Sequence, residues 1–184
     1  MEDNKNIVFV AGVHGVGKGY LCSRLAPMID GEHVTASSLI RNRKALGPAK
    51  AISGIDANQD ILVEELSKFQ TAKSVVILDG HFCLYNKEFK IENLSLSLFK
   101  ELHVSYIVIL TCSPALIFER LINRDKDISQ FSLSRIAQLQ DAELNQSDII
   151  SKALCVPIMS IDVTTVTTSD LARLSSDIKS HFRL

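Results

Sequence analysis

The sequence contains no tryptophan, and aromatic residues make up only 6% of its 184 positions. A protein that stacks the bases of single-stranded nucleic acid needs more aromatic side chains than this. Charge is also nearly balanced, with 20 basic against 21 acidic residues, so the excess of positive charge typical of nucleic-acid or membrane-surface binding is missing. We therefore expect small molecules as partners, and neither nucleic acid nor a membrane.

Long apolar segments and paired cysteines are absent as well. The longest apolar runs, at 7–13 and 106–110, are too short to cross a bilayer. Residues 1–5 lack the basic start and the apolar stretch of a signal peptide, so we expect a cytoplasmic protein. The four cysteines form no CxxC pair, which favours reduced, apolar thiols over a metal cluster. They are Cys22, Cys83, Cys112 and Cys155.

Short apolar segments alternate with amphipathic segments along the whole chain. Strands are predicted at about 7–11, 32–36, 74–78, 104–110 and 156–161. Helices are predicted at about 17–28, 37–46, 56–70, 94–102, 114–124, 132–151 and 169–182, with a loop at 85–92. This alternation predicts an α/β fold whose parallel sheet is covered by helices on both faces. In such folds ligands bind beyond the carboxyl ends of the strands.

A glycine-rich turn that matches the phosphate-binding pattern G-x-x-x-x-G-K follows the first strand and opens a helix. The glycines allow backbone N–H groups to surround a phosphate, and the helix adds its positive N-terminal end. The lysine is expected to extend as a mobile charge toward the outer phosphates. The residues predicted to bind ATP are Gly12, Val13, His14, Gly15, Val16, Gly17, Lys18, Gly19 and Tyr20.

The end of this loop departs from the general pattern, in which Ser or Thr follows the lysine and holds Mg²⁺. Here Gly19 and Tyr20 follow. Gly19 has no side chain to offer a metal, and the phenol of Tyr20 is poorly sized for one. Either phosphates and water hold the metal, with Asp79 as a possible contributor, or phosphoryl transfer is weak or lost.

Further polar residues follow the other strands. They are Thr35 near the end of the second strand, Ser38 and Arg41 after it, Asp79 and His81 after the third, and Arg120 and Arg124 after the fourth. Because Arg120 and Arg124 are four residues apart, one helix face carries both guanidinium groups. Arg135, on the next helix, could add another.

These segments resemble the adenylate kinase and nucleoside monophosphate kinase-like P-loop family, with a layout closest to the short-lid archaeal-type adenylate kinases. The resemblance rests on three segments, which are the Lys-Gly pair at 18–19, the Asp-Gly-His turn at 79–81 and the Arg-x-x-x-Arg pair at 120–124. The segment at 36–38 departs from it, since Ala-Ser-Ser stands where the family has Thr-Gly-Asp.

The resemblance implies a three-layer α/β/α P-loop NTPase fold with a five-stranded parallel sheet of order 2-3-1-4-5. It implies a single domain over 1–184, with a helical acceptor-binding insertion at about 36–72 and a short lid at about 125–132. It also implies an ATP-dependent phosphotransferase that acts on a nucleoside monophosphate and uses ATP and Mg²⁺.

The resemblance also implies a role for each candidate residue. Lys18 contacts the outer donor phosphates, Asp79 orders magnesium-bound water, and Arg120 and Arg124 clamp the transferred group. The predicted acceptor-binding residues are Thr35, Ser38, Arg41 and His81.

Two other functions fit the same residues. One is a P-loop kinase for another small metabolite or a nucleic-acid end, where a hydroxyl acceptor needs a base and Asp79 could serve. The other is a nucleotide-binding regulatory protein with a degenerate site, which Tyr20, Ala36 and Cys83 favour.

Overall fold

The computed structural model describes residues 5–46, 55–124 and 131–184. Numbered in chain order, the strands are β1 (Asn6–Ala11), β2 (Gly31–Thr35), β3 (Val75–Gly80), β4 (Cys83–Tyr85), β5 (Ile91–Asn93), β6 (Val104–Thr111) and β7 (Ile158–Asp162). Five of them form a sheet of order β2-β3-β1-β6-β7, in which each neighbouring pair is parallel. The predicted α/β class and strand order are therefore confirmed, and β4 and β5 form a separate antiparallel hairpin.

Helices follow the strands of the main sheet. They are α1 (Lys18–Leu25), α2 (Ala36–Leu46), α3 (Ile55–Lys68), α4 (Leu96–Glu101), α5 (Pro114–Arg124), α6 (Leu133–Leu154) and α7 (Thr168–Phe182). Ser95, Ser132 and Thr167 cap α4, α6 and α7, each accepting a backbone N–H of the first turn. Among the described helices, none has both the length and the apolar character that crossing a membrane requires.

Side chains of β1 alternate between two apolar cores. Val8 and Val10 pack with residues of α1, α5 and α7, whereas Ile7 and Phe9 pack on the opposite face with residues of α3 and α4. All four are at most 1% exposed. Because both faces of the sheet are buried, β1 is an unbroken apolar run rather than an alternating one.

Two predicted elements differ from the structure in type, and α6 extends three residues beyond its predicted end at 151. The helix predicted at 17–28 ends at Leu25 and continues as the 3-10 turn Ala26–Met28, because Pro27 lacks the N–H group that an α-helix would use. The loop predicted at 85–92 contains parts of β4 and β5. Those strands are too short to show alternation, and their connection depends on Asn86, whose side-chain oxygen accepts two nearby backbone N–H groups.

Candidate functional site

A cavity of about 630 Å³ opens at the carboxyl edge of the sheet, where the fold class predicts a ligand site. The phosphate loop and Asp79 form one end of it. The other end is largely apolar, with walls that include Ile40, Leu62, Leu84, Leu98, Phe99 and Leu139. The site is therefore a two-part pocket with a polar end and an apolar end.

Three glycines of the phosphate loop, Gly12, Gly15 and Gly17, have positive φ angles, and the first and last of them show why glycine is required. Gly12 has φ of 142° and Gly17 has φ of 116°, in the region that residues with a side chain rarely adopt. A Cβ atom at Gly12 would also lie 2.7 Å from the carbonyl oxygen of Leu110. These two glycines allow the loop to pass closely over β6 and then enter α1.

Lys18 is buried against its own loop, with only 8% of its surface exposed. Its Nζ donates hydrogen bonds to the carbonyl oxygens of Gly12 at 2.7 Å and Val13 at 3.3 Å. Burial lowers the pKa of the ammonium group, while the nearby Asp79 carboxylate opposes that shift. The lysine is thus folded back on its own loop in this structure, and its contact with the outer phosphates stays a prediction.

Asp79 lies at the end of β3 between two basic side chains. Its Oδ1 is 3.9 Å from Nζ of Lys18, and its Oδ2 is 3.6 Å from Nε2 of His33. A Cβ atom on the following Gly80 would lie 2.8 Å from the ring of Phe9. Glycine at that position therefore leaves room for the Phe9 ring beside the site.

Arg120 and Arg124 both line the cavity from α5. Nη1 of Arg120 donates to the carbonyl oxygen of Val16 at 2.8 Å and is 3.4 Å from that of Gly15. Arg124 is exposed at the C-terminal end of the helix. Both predicted arginines therefore line the cavity, and Arg120 also holds the loop through its carbonyl groups.

Arg135 does not join that pair, because its guanidinium lies over the ring of Phe89, 4.2 Å from the ring centroid. The lid predicted at about 125–132 lies mostly outside the described residues, which stop at 124 and resume at 131. The predicted insertion at 36–72 contains α2 and α3, with 47–54 outside the described residues.

His81 forms a pair with a fully buried carboxylate that the sequence analysis missed. Its Nδ1 is 3.1 Å from Oε1 of Glu143, and Oε2 of Glu143 accepts the backbone N–H of Phe82 at 2.9 Å. The His81 ring lines the cavity and stacks on that of His14, with centroids 5.6 Å apart. Because Nδ1 faces Glu143, Nε2 is the ring nitrogen that remains for a ligand.

A sequence signal for Glu143 exists in the spacing of α6. The buried residues Ile136 and Ile150 lie seven positions to either side of it, so Glu143 occupies a core position of that helix. Glu143 itself is 0% exposed. A carboxylate at a core position needs partners, and this requirement could have directed attention to His81.

The four predicted acceptor residues do not converge. Thr35 lines the cavity, but its Oγ1 accepts the N–H of Ser38 at 3.0 Å and so caps α2. The hydroxyl of Ser38 donates back to the carbonyl oxygen of Thr35 at 2.7 Å. Arg41 is exposed on α2 and is not part of the cavity wall. Thr35 and His81 are thus the two that reach the cavity.

The cavity's apolar end contains no cation among the described residues that line it. The lining cations are Lys18, Arg120 and Arg124, which belong to the phosphate-loop end. Asn58 lines the cavity too, and its Oδ1 is buried with no hydrogen-bond partner in the described part of the chain. A ligand group that donates a hydrogen bond would satisfy this oxygen.

Gly19 and Tyr20, the two residues after Lys18, are poor candidates for metal ligands. The side chain of Tyr20 is 66% exposed and turns along α1, where its hydroxyl accepts a hydrogen bond from Arg24 at 3.2 Å. Gly19 faces open space. Asp79 is then the carboxylate beside the loop, which suits Mg²⁺ because this ion usually binds through one or two carboxylates, phosphates and water.

Comparisons with known proteins agree with this geometry. No curated protein matches the chain. Among solved structures, shikimate kinase from Bacteroides thetaiotaomicron is similar in fold, with a TM-score of 0.58 and 14% sequence identity over 97% of this chain and 99% of that one. The chain thus has the fold of a P-loop kinase. Residues 11–137, well over half of the sequence, match the AAA domain family, and the chain belongs to that family.

Proposed function

We propose that the chain is an ATP-dependent phosphotransferase whose acceptor is a small molecule with a reactive hydroxyl group. The observation that carries the proposal is the pair of His81 and Glu143, because His81 lines the same cavity as the phosphate loop and the buried Glu143 holds its ring. A phosphate acceptor is already ionised and needs no base, whereas a hydroxyl acceptor must lose a proton. A histidine held by a buried carboxylate suits the second kind of acceptor.

The donor phosphates bind at the polar end of the cavity. Backbone N–H groups of residues 12–19 and the N-terminal end of α1 favour their negative charge. Lys18 and Arg120 exchange loop carbonyls for phosphate oxygens when ATP enters. The planar guanidinium of Arg120 can meet two oxygens of the transferred group at once.

Mg²⁺ bound with ATP would neutralise part of the phosphate charge, and Asp79 would hold its water ligands. The remaining steps use side chains of the chain itself. As the acceptor oxygen bonds to the γ-phosphorus, its proton passes to Nε2 of His81, and the bond to the ADP oxygen breaks with its electron pair. Glu143 stabilises the resulting imidazolium through Nδ1–H.

The apolar end binds the body of the acceptor. Its side chains exclude water, which would otherwise accept the phosphoryl group. The unpartnered Oδ1 of Asn58 favours an acceptor that also carries a hydrogen-bond donor. With no cation on the described part of this wall, an uncharged acceptor fits better than shikimate, whose carboxylate would need one.

A nucleoside monophosphate is the second candidate acceptor. The presence of Arg124 beside Lys18 and Arg120 favours it, because three cations can serve two phosphate groups. An apolar wall also accommodates a nucleobase. Transfer to a monophosphate would make His81 a binding residue instead of a base.

The test is incubation of the protein with ATP, Mg²⁺ and single acceptors, followed by mass spectrometry of the products. The panel contains nucleosides, sugars, small alcohols, shikimate and the nucleoside monophosphates. A phosphate ester formed on a hydroxyl supports the proposal, and a nucleoside diphosphate supports the second candidate. ATP binding without transfer to any acceptor contradicts both and indicates a nucleotide-binding protein without kinase activity.

A further inference from the structure

Three side chains from three different elements meet beside the phosphate loop, and only one of them, Asp79, also lines the cavity. Cys22 comes from α1, His33 from β2 and Asp79 from β3, and their ligand atoms all lie within 4.8 Å of one another. His33 pairs with Ile77 in the parallel register of β2 and β3, so it shares a sheet face with Asp79, two residues further on. Cys22 lies one helical turn after Lys18 and faces that surface.

Phosphate binding leaves two of these groups without a role. Cys22 is 0% exposed and does not line the cavity. Nε2 of His33 is buried and has no hydrogen-bond partner among the described residues, although it lies 3.6 Å from Oδ2 of Asp79. Leaving a buried ring nitrogen unpaired costs free energy, so a partner for it is expected.

We propose that Cys22, His33 and Asp79 bind a divalent transition metal, with Zn²⁺ as the best-suited ion. Thiolate, imidazole and carboxylate are the ligands that Zn²⁺ prefers. With metal–ligand bonds of about 2.0–2.3 Å, tetrahedral ligand atoms lie roughly 3.3–3.8 Å apart. The observed cluster therefore needs only small side-chain rotations to close on an ion.

Charge and access also suit this site. The Cys22 thiol releases its proton to solvent when the metal binds, which leaves a thiolate and a carboxylate around the cation. The side chain of His33 is 24% exposed on β2 at the edge of the sheet, although its Nε2 is buried. A water molecule would complete a tetrahedral site as the fourth ligand. The Lys18 ammonium repels the cation, but it faces the other carboxylate oxygen of Asp79 and is held by the carbonyl groups of the loop.

This metal site is separate from the Mg²⁺ that accompanies ATP. It uses Oδ2 of Asp79, whereas Oδ1 faces Lys18 and the phosphate loop. A soft thiolate also has little affinity for Mg²⁺. A bound transition metal would hold the Asp79 carboxylate in one orientation and so connect metal availability to the phosphate loop.

The test is a titration of metal-free protein with Co²⁺, followed by absorption spectroscopy. A thiolate-to-cobalt charge-transfer band in the near ultraviolet, with the visible bands of tetrahedral Co²⁺, should reach saturation at one equivalent and be displaced by Zn²⁺. Cys22→Ala should abolish the charge-transfer band, and His33→Ala should weaken binding about tenfold or more. Cys155→Ala and His103→Ala, at exposed positions, should leave both unchanged.

Absence of the band in the wild-type protein overturns the proposal. So does its survival in Cys22→Ala, or its loss in Cys155→Ala, which would assign the metal to a surface thiol. If Cys22→Ala fails to fold by circular dichroism, His33→Ala decides, and unchanged Co²⁺ affinity in that variant overturns the proposal. The assay contains no ATP or acceptor, so its outcome is independent of the proposed kinase activity.

Discussion

Replacing Glu143 by Gln separates a catalytic role for the buried carboxylate from a purely structural one. The two side chains have the same shape, and the new amide oxygen can still accept the Phe82 N–H. The amide NH₂ group must then face Nδ1 of His81, which has to act as an acceptor. His81 is thereby held with its proton on Nε2, the nitrogen that has to take the proton from the acceptor hydroxyl.

The expected loss in kcat is the contribution of general base catalysis, about 10²–10⁴-fold, or roughly 3–5 kcal/mol in the activation barrier. KM for ATP should be unchanged because the phosphate loop keeps its contacts. The free energy of unfolding should fall by only about 1 kcal/mol, since the bond to Phe82 survives. Glu143→Leu, by contrast, leaves that buried N–H unpaired at a cost of about 1–3 kcal/mol.

The assay is steady-state ADP release, with the best hydroxyl acceptor and with water alone, beside thermal unfolding of each variant. Asp141→Asn, which neutralises an exposed carboxylate on the same helix, is the matched control. A Glu143→Gln variant with wild-type kcat and a lowered melting temperature would refute the reasoning. Glu143 would then only anchor the turn after β3.

Four other substitutions test the remaining contacts. Lys18→Met keeps the buried stem but removes the ammonium group, so ATP binding measured by calorimetry should fall at least about tenfold while the circular dichroism spectrum stays unchanged. Arg120→Lys keeps the charge but loses the planar fork, so kcat should fall about 10²-fold with little change in KM; a wild-type kcat would mean that Arg120 only braces the loop. Gly19→Ser places a hydroxyl in open space at the usual metal-binding position, so less Mg²⁺ should be needed for half-maximal activity than in the Gly19→Ala control. Thr167→Ala removes the capping box that starts α7, so unfolding free energy should fall by about 1 kcal/mol, with the exposed Thr165→Ala as control.

The sheet order and the phosphate loop could be predicted from the sequence because they depend on local patterns. An apolar strand, a glycine-rich turn and a helix in succession leave few alternatives for residues 6–25. Right-handed crossovers then restrict how five parallel strands can be arranged. The predicted helix extends three residues past the end of α1. The sequence around Pro27 is compatible with both an α-helix and a 3-10 turn, so it does not show where the α-helix ends.

The contacts that define the site were harder to predict because they join distant parts of the chain. Glu143 and His81 are 62 positions apart, and only packing of α6 against the turn after β3 brings them together. Arg41 was assigned from its place in the segment after β2. The direction of its side chain depends on how α2 lies against α3, which the spacing of residues within α2 does not reveal.

The back-folded cations of the phosphate loop also affect how nucleotide binding would be detected. Lys18 and Arg120 already have carbonyl partners, so a nucleotide must displace those contacts before it gains its own. Binding is then an exchange of partners, and its net gain is smaller than the new contacts alone would give. ATP should accordingly raise the melting temperature less than its contacts suggest, so a weak thermal shift would not exclude a functional loop.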